Sequence, residues 1–170
     1  RPWGRRGGVC ERAGKGQVRS APGGEDGLVP IGQMRWSPPV IRKLNLTFLT
    51  GLRTITTAGD AETQSGMAAH LVFITQSMER EHISNADGEF LIVAQQGKMR
   101  FRTEFGVIDI EPGEICVIPL GVIFRVELID GQVRAYVCDN YGGGSILPDR
   151  CPIGANYLAN TRDFLAPLPA

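Results

Sequence analysis

The sequence predicts an all-β fold, a small sandwich or barrel, and three observations carry that expectation. Glycines at 97, 106, 113, 121 and 131 recur at spacings of 9, 7, 8 and 10, close to the rhythm of about 8–12 residues between turns in antiparallel domains. The runs between them are rich in β-branched and aromatic residues, which fit a pleated, half-buried surface. No amphipathic pattern of about ten or more residues at helical period appears, and Pro38-Pro39, Pro148, Pro152, Pro167 and Pro169 break up both ends.

Residues 1–30 mix Gly, Arg and Pro without periodicity. Such a stretch buries too little apolar surface to offset its ordering entropy, so a disordered leader is expected. It is basic, with six basic residues against three acids. That composition also suits an organellar transit peptide, although an Arg at position 1 favours a fragment. Residues 31–140 are expected to form the β-barrel domain. Its strands are predicted at Leu52–Thr57, Ala68–Thr75, Phe90–Ala94, Met99–Thr103, Val107–Ile110, Ile115–Ile118, Phe124–Ile129 and Val133–Cys138. In Met99–Glu104 the side chains of Arg100, Arg102 and Glu104 share one face, opposite Met99 and Phe101; Phe124, Val126 and Leu128 likewise alternate with Arg125 and Glu127. One face is therefore wet and the other buried. Asp130-Gly131 between two such runs predicts a type I′ hairpin, whose central residues both need positive φ. Pro112-Gly113 and Pro119-x-Gly121-x-x-Phe124 predict the hairpin that closes the barrel. After Tyr141 alternation is lost in Gly142-Gly143-Gly144, read as a flexible connector, and residues 141–170 are expected to be a loop-rich linker.

The chain has 170 residues, 42% apolar and 21% charged, with 18 basic and 18 acidic side chains. One domain of ordinary composition is implied. A net charge of 0 offers no basic excess toward nucleic acid or anionic membrane. The apolar runs Leu71–Ile74 and Ile115–Ile118 are far short of the ~18 residues of a membrane span. Cys10, Cys116, Cys138 and Cys151 form no C-x-x-C pair, and no secretory apolar segment opens the chain. Reduced, buried thiols in a cytoplasmic protein are expected.

Chemistry is harder to find. His70 on a strand reads as a hydrogen-bonded structural residue, because a ligand or catalytic base needs convergent partners. His82, flanked by Glu79, Arg80 and Glu81, reads as solvated. Glu111 and Glu114 bracket a Pro-Gly turn rather than forming a buried acid/base pair. The serines have no G-x-S-x-G context, the cysteines no evident His partner, and Gly142-Gly143-Gly144 lacks the Lys-Ser/Thr of a phosphate loop.

The barrel pattern resembles a cupin, a jelly-roll (RmlC-like) fold whose metal sites draw on a H-x-H…E run and on the last His of P-x-G-x-x-H. This chain offers His82, Ser84, Glu89 and Phe124 at those places. Only two of the four side chains can ligate, too few to compete with bulk water for a metal. Longer words carry a sharper resemblance. Gln33-Met34-Arg35-Trp36, Gly51-Leu52-Arg53-Thr54, Ala58-Gly59-Asp60, Ser77-Met78-Glu79, Asn85–Val93, Thr103-Glu104-Phe105-Gly106, Pro112-Gly113-Glu114, Pro152–Asn156 and Leu158–Phe164 resemble the homogentisate 1,2-dioxygenase family in order and spacing. The resemblance runs from about Gln33 to the end and covers that family's N-terminal cupin.

It implies an Fe(II) enzyme that opens the ring of homogentisate with O2 to give maleylacetoacetate in tyrosine and phenylalanine breakdown. The family assembles as hexamers, dimers of trimers, and binds its iron through two histidines and a glutamate of a C-terminal cupin. No position here matches those ligands or the catalytic histidine, so catalytic, cofactor-binding and metal residues are each assigned as none. The chain alone is expected to be inactive and to bind no cofactor. Where the family reads Gly-Gly-His-Phe-Glu-Leu-Pro, this chain has Gly142–Pro148, and His82 has no family counterpart; both departures suggest a truncated or degenerate copy. Two other readings stand beside it: a metal-free cupin serving assembly or binding, and a one-domain isomerase, which would need an inward-facing His or acid cluster.

Overall fold

A computed structural model describes residues 45–146 and 163–169. The leader of residues 1–30, the motif Gln33–Trp36, most of the motifs between Pro152 and Phe164, and Cys10 and Cys151 lie outside the described residues. The chain enters through a single helical turn, α1 (Phe48–Gly51), capped by Thr47. Six antiparallel strands follow: β1 (Leu52–Asp60), β2 (Ser65–Ile74), β3 (Glu89–Thr103), β4 (Gly106–Ile110), β5 (Ile115–Ile118) and β6 (Phe124–Asn140). Their order in the sheet is β1-β2-β6-β3-β4, with β5 also on β3.

β3 and β6 are the spine. They pair along their whole length, from Glu89 opposite Asn140 to Thr103 opposite Phe124. The other edge of β3 is shared between β5, which takes Phe90–Val93, and β4, which takes Met99–Thr103. Between the two halves the register slips repeatedly, from Ala94 to Met99 on β3 and from Leu128 to Ala135 on β6. Such irregularities bend a ribbon. The bend is severe: Phe90 and Phe124 lie at opposite ends of the ladder, and 13 residues of extended strand would separate them by about 43 Å, yet their rings are 6.4 Å apart. The ribbon is folded over, so its two halves face each other as the layers of a roll. The all-β barrel class expected from the sequence is the class observed.

The pleat explains the core. On β3 the side chains of Phe90, Ile92, Ala94, Met99 and Phe101 are buried, on β6 those of Phe124, Val126, Val133, Ala135 and Val137, and on β2 those of Val72 and Ile74. Arg100, Arg102, Arg125 and Glu127 face outward as alternation predicts. They are tied by bidentate Arg100–Asp109 bonds of 2.7 and 2.8 Å, Arg102–Glu127 at 2.7 Å and Arg125–Glu127 at 2.8 Å.

Four expectations are corrected. The eight predicted strands are six, because Phe90–Ala94 joins Met99–Thr103 and Phe124–Ile129 joins Val133–Cys138. Asp130-Gly131 is not a hairpin turn but part of the bend in β6. The positive φ of Gly131, 51°, serves a bulged strand as well as a turn, and Asp130 Oδ1 accepts the Lys98 N–H at 2.7 Å across the irregular ladder. The closing hairpin is absent too, because β4, β5 and β6 all pair with β3 and not with one another. The connector after Tyr141 is tied down rather than loose: Asn140 Nδ2 donates to the Gly143 carbonyl at 2.7 Å, and Ser145 N–H donates to Glu89 at 2.6 Å. In the tail, Leu168 makes a two-bond antiparallel bridge to Val107 on the edge of β4.

Candidate functional site

In a barrel the inner face is where groups converge, so its occupants decide what chemistry is available. Phe124, at the position read as the last ligand of P-x-G-x-x-H, is fully buried. Its ring lies 5.6 Å from Phe48 at near right angles, 5.8 Å from Phe101 and 6.4 Å from Phe90, in the edge-to-face and tilted ranges that aromatic pairs favour. Backbone bonds of 2.9 Å in both directions between Ile83 and Phe124 hold it there. The layers are joined by an aromatic core around Phe124.

Two buried polar pairs lie on the same inner face. His70 on β2 and Thr54 on β1 are register partners, 0% and 1% exposed, with His70 Nδ1 3.1 Å from Thr54 Oγ1. His70 Nε2 has no hydrogen-bond partner among the described residues. Burial holds the imidazole down at about 4, so it is neutral at pH 7. Asp139 on β6, 1% exposed, accepts from Asn85 Nδ2 at 2.7 Å. Burial raises its carboxyl to about 6; the Asn85 bond opposes that shift and the charge of Asp87 adds to it. Asp139 follows Val133, Ala135 and Val137 at period two, so continuing the predicted strand by one inward step would have found it. Asn85, in a connecting segment, leaves no such signal.

The other candidates disperse. His82 and Ser84 are exposed. Glu89 is buried but belongs to the outer face of β3, where Ser145 binds it through N–H and hydroxyl. Glu111 and Glu114 are exposed at their turn, with Glu114 Oε2 accepting the Glu111 N–H at 2.8 Å and Glu111 paired with Lys98. Among the described residues no three His, Cys, Asp or Glu side chains gather in a way that would hold a metal. An Fe(II) centre does not fit this inner face: its one buried imidazole is bonded to Thr54, and the residue at the last position of the P-x-G-x-x-H pattern is Phe124. Cys116 is buried, its thiol pushed up to about 12 by desolvation, and Cys138 is half-buried; neither is in a disulfide.

These features define a class: an antiparallel β-roll whose interior is a packed core with two buried polar pairs. A family model described as the N-terminal part of homogentisate 1,2-dioxygenase matches residues 10–170, and the chain belongs to that family. It is 61% identical over 155 residues to a homogentisate 1,2-dioxygenase of Rhodopseudomonas palustris strain TIE-1, covering 91% of this chain and 34% of that protein. With the strain HaA2 relative it shares 57% over 170 residues, 100% of this chain and 38% of the relative. A Bradyrhizobium diazoefficiens relative of the same name is 56% identical over 168 residues, 99% of this chain and 37% of the relative. The chain thus spans little more than a third of the length of these curated relatives. Among solved structures, an RmlC-like cupin family protein from Methanocaldococcus jannaschii aligns with a TM-score of 0.47 at 10% identity, over 64% of this chain and 93% of that one. No helix among the described residues is long and apolar enough to cross a membrane.

Proposed function

We propose that this chain is the structural, non-ligating N-terminal barrel of a homogentisate 1,2-dioxygenase, the enzyme that opens homogentisate with O2 to give maleylacetoacetate. In this reading the Fe(II) site and the substrate contacts belong to the part of the relatives' length that this chain does not span. Residues 31–140 are the barrel, residues 1–30 a leader, and residues 141–170 the linker toward the catalytic part, with no catalytic or metal-binding side chain of its own. The observation that carries the proposal is Phe124, which stands at the last position of the P-x-G-x-x-H pattern in sequence and whose ring is packed on Phe48, Phe90 and Phe101. The balanced charge and the unbridged Cys116 and Cys138 support a cytoplasmic protein with neither nucleic acid nor membrane as partner. The family's hexamer is the proposed assembly.

The test is O2 uptake with homogentisate and ferrous iron. The chain alone should consume none, whereas a full-length relative in which this chain replaces the matching segment should. Turnover by the isolated chain would overturn the proposal, as would an inactive but folded chimera.

A further inference from the structure

The hairpin between β3 and β4 turns on two residues, Glu104 and Phe105, with Thr103 and Gly106 paired at its base. Turn residues are normally small or polar, yet here a phenyl ring is 68% exposed. The turn that displays it is fixed by four hydrogen bonds. Thr103 Oγ1 accepts the Phe105 N–H at 3.1 Å and donates to the Gly106 carbonyl at 3.0 Å. Glu104 N–H donates to the Ile123 carbonyl at 3.1 Å, and Glu104 Oε1 accepts the Ile123 N–H at 3.0 Å. An aromatic side chain held out on a fixed backbone adds nothing to the core, but it can anchor a contact with little ordering left to do.

The tail is pinned to the same hairpin. Leu168 exchanges hydrogen bonds of 2.7 and 2.8 Å with Val107, and its carbonyl lies against Gly106, where an added Cβ would strike it. Leu165 and Leu168 are 70% and 72% exposed. Pro167 and Pro169 flank the bridged residue, so their missing N–H groups leave the outer edge of the tail without donors there. Whatever docks here does so through side chains rather than by adding a strand. We propose that Phe105, with Leu165 and Leu168, is the docking surface for the segment that follows Ala170 in full-length relatives, an apolar stretch laid against the β3–β4 hairpin. The inference rests on reading this chain as the N-terminal barrel of a protein of which it spans 34–38%. Position and area select the occupant. The bridge holds the chain at the hairpin two residues before Ala170, so a segment continuing from there is presented to Phe105 at an effective concentration in the millimolar range, on the order of that for a short linker. The three side chains expose roughly 300 Å², against about 800 Å² per partner in a standard free-standing complex. That is enough for a tethered segment and too little for a second copy.

The test uses the full-length chimera with a photoreactive benzoylphenyl group in place of the Phe105 ring. Illumination should link position 105 to a peptide beyond Ala170 of the same chain, identified by mass spectrometry and leaving the mass on a denaturing gel unchanged. Separately, Phe105→Ser should speed protease cleavage just beyond Ala170 by about tenfold in the chimera, as the loss of an anchoring aromatic implies, and should leave the melting temperature of the isolated chain unmoved. A crosslink that doubles the mass would assign the surface to a second copy and overturn the proposal. So would a crosslink confined to residues 1–170, the absence of any crosslink, or cleavage unmoved by Phe105→Ser. O2 uptake separates this inference from the reading beneath it: an active chimera without the crosslink sinks the docking surface alone, whereas a folded but inactive parent chimera sinks the N-terminal-barrel reading.

Discussion

Asp139→Asn should change the pH dependence of folding in a way the parent protein conceals. Asp139 has its carboxyl raised by burial to about 6, so the folded state holds a proton that the unfolded chain has released. Its contribution is fully present below about 4 and is lost as pH rises toward 6. His70 does the opposite. Its imidazole is lowered by burial to about 4, so its contribution is present above about 6.5 and is lost as pH falls toward 4. Each shift is roughly two pH units, or about 3 kcal/mol at ~1.4 kcal/mol per unit. Between pH 4 and 6 the two slopes have opposite signs and nearly cancel. Asparagine at 139 keeps an acceptor for Asn85 Nδ2 and removes one slope. The variant should therefore match the parent near pH 4 and exceed it by about 2–3 kcal/mol at pH 7. His70→Gln should show the converse, gaining on the parent as pH falls. Urea unfolding followed by circular dichroism at pH 4, 5, 6 and 7 gives both difference curves, in which other carboxylates such as Asp109, held down by Arg100, drop out. A difference between Asp139→Asn and parent that does not change with pH would refute the reasoning.

Phe124→His should lose the burial of a phenyl ring and three ring contacts, and should place an unpartnered imidazole in the core. A loss of about 4–6 kcal/mol is expected, a large share of the roughly 5–15 kcal/mol of a typical domain, and Zn2+ should not raise its melting temperature; a metal-dependent rise would show that the inner face offers ligands after all. Cys116 should resist alkylation in the native state and react only on unfolding, while Cys138 reacts faster, because burial has pushed the Cys116 thiol to about 12; equal rates by mass spectrometry would contradict the packing. Gly106→Ala should break the tail away from β4, since φ is +130° there and an added Cβ would meet the Leu168 carbonyl oxygen at 2.3 Å; faster hydrogen exchange at Val107 and Leu168 and a loss of about 1–3 kcal/mol are expected.

The roll was legible because its signals are local. The five glycines picked out by spacing all have positive φ in the structure, from 51° at Gly131 to 130° at Gly106, and the alternation at Arg100, Arg102, Arg125 and Glu127 named the wet face correctly. What those signals do not encode is the pairing partner. Asp130-Gly131 marks a place where the chain adopts a left-handed conformation. Whether that conformation reverses the chain or bends a continuing strand depends on what lies opposite, here Lys98 and the slipped register of β3. The same limit applies to the candidate site. Phe124 was visible as a non-ligand, but its three aromatic partners come from α1 and from both ends of β3, and only the folded-over ribbon brings them together. Asp139 is the instructive intermediate case: its inward position follows from period two, yet its buried carboxyl depends on Asn85, 54 residues away in sequence. An inner face that holds one desolvated imidazole and one desolvated carboxyl in separate buried pairs, together with a cluster of four phenyl rings, is packed for cohesion.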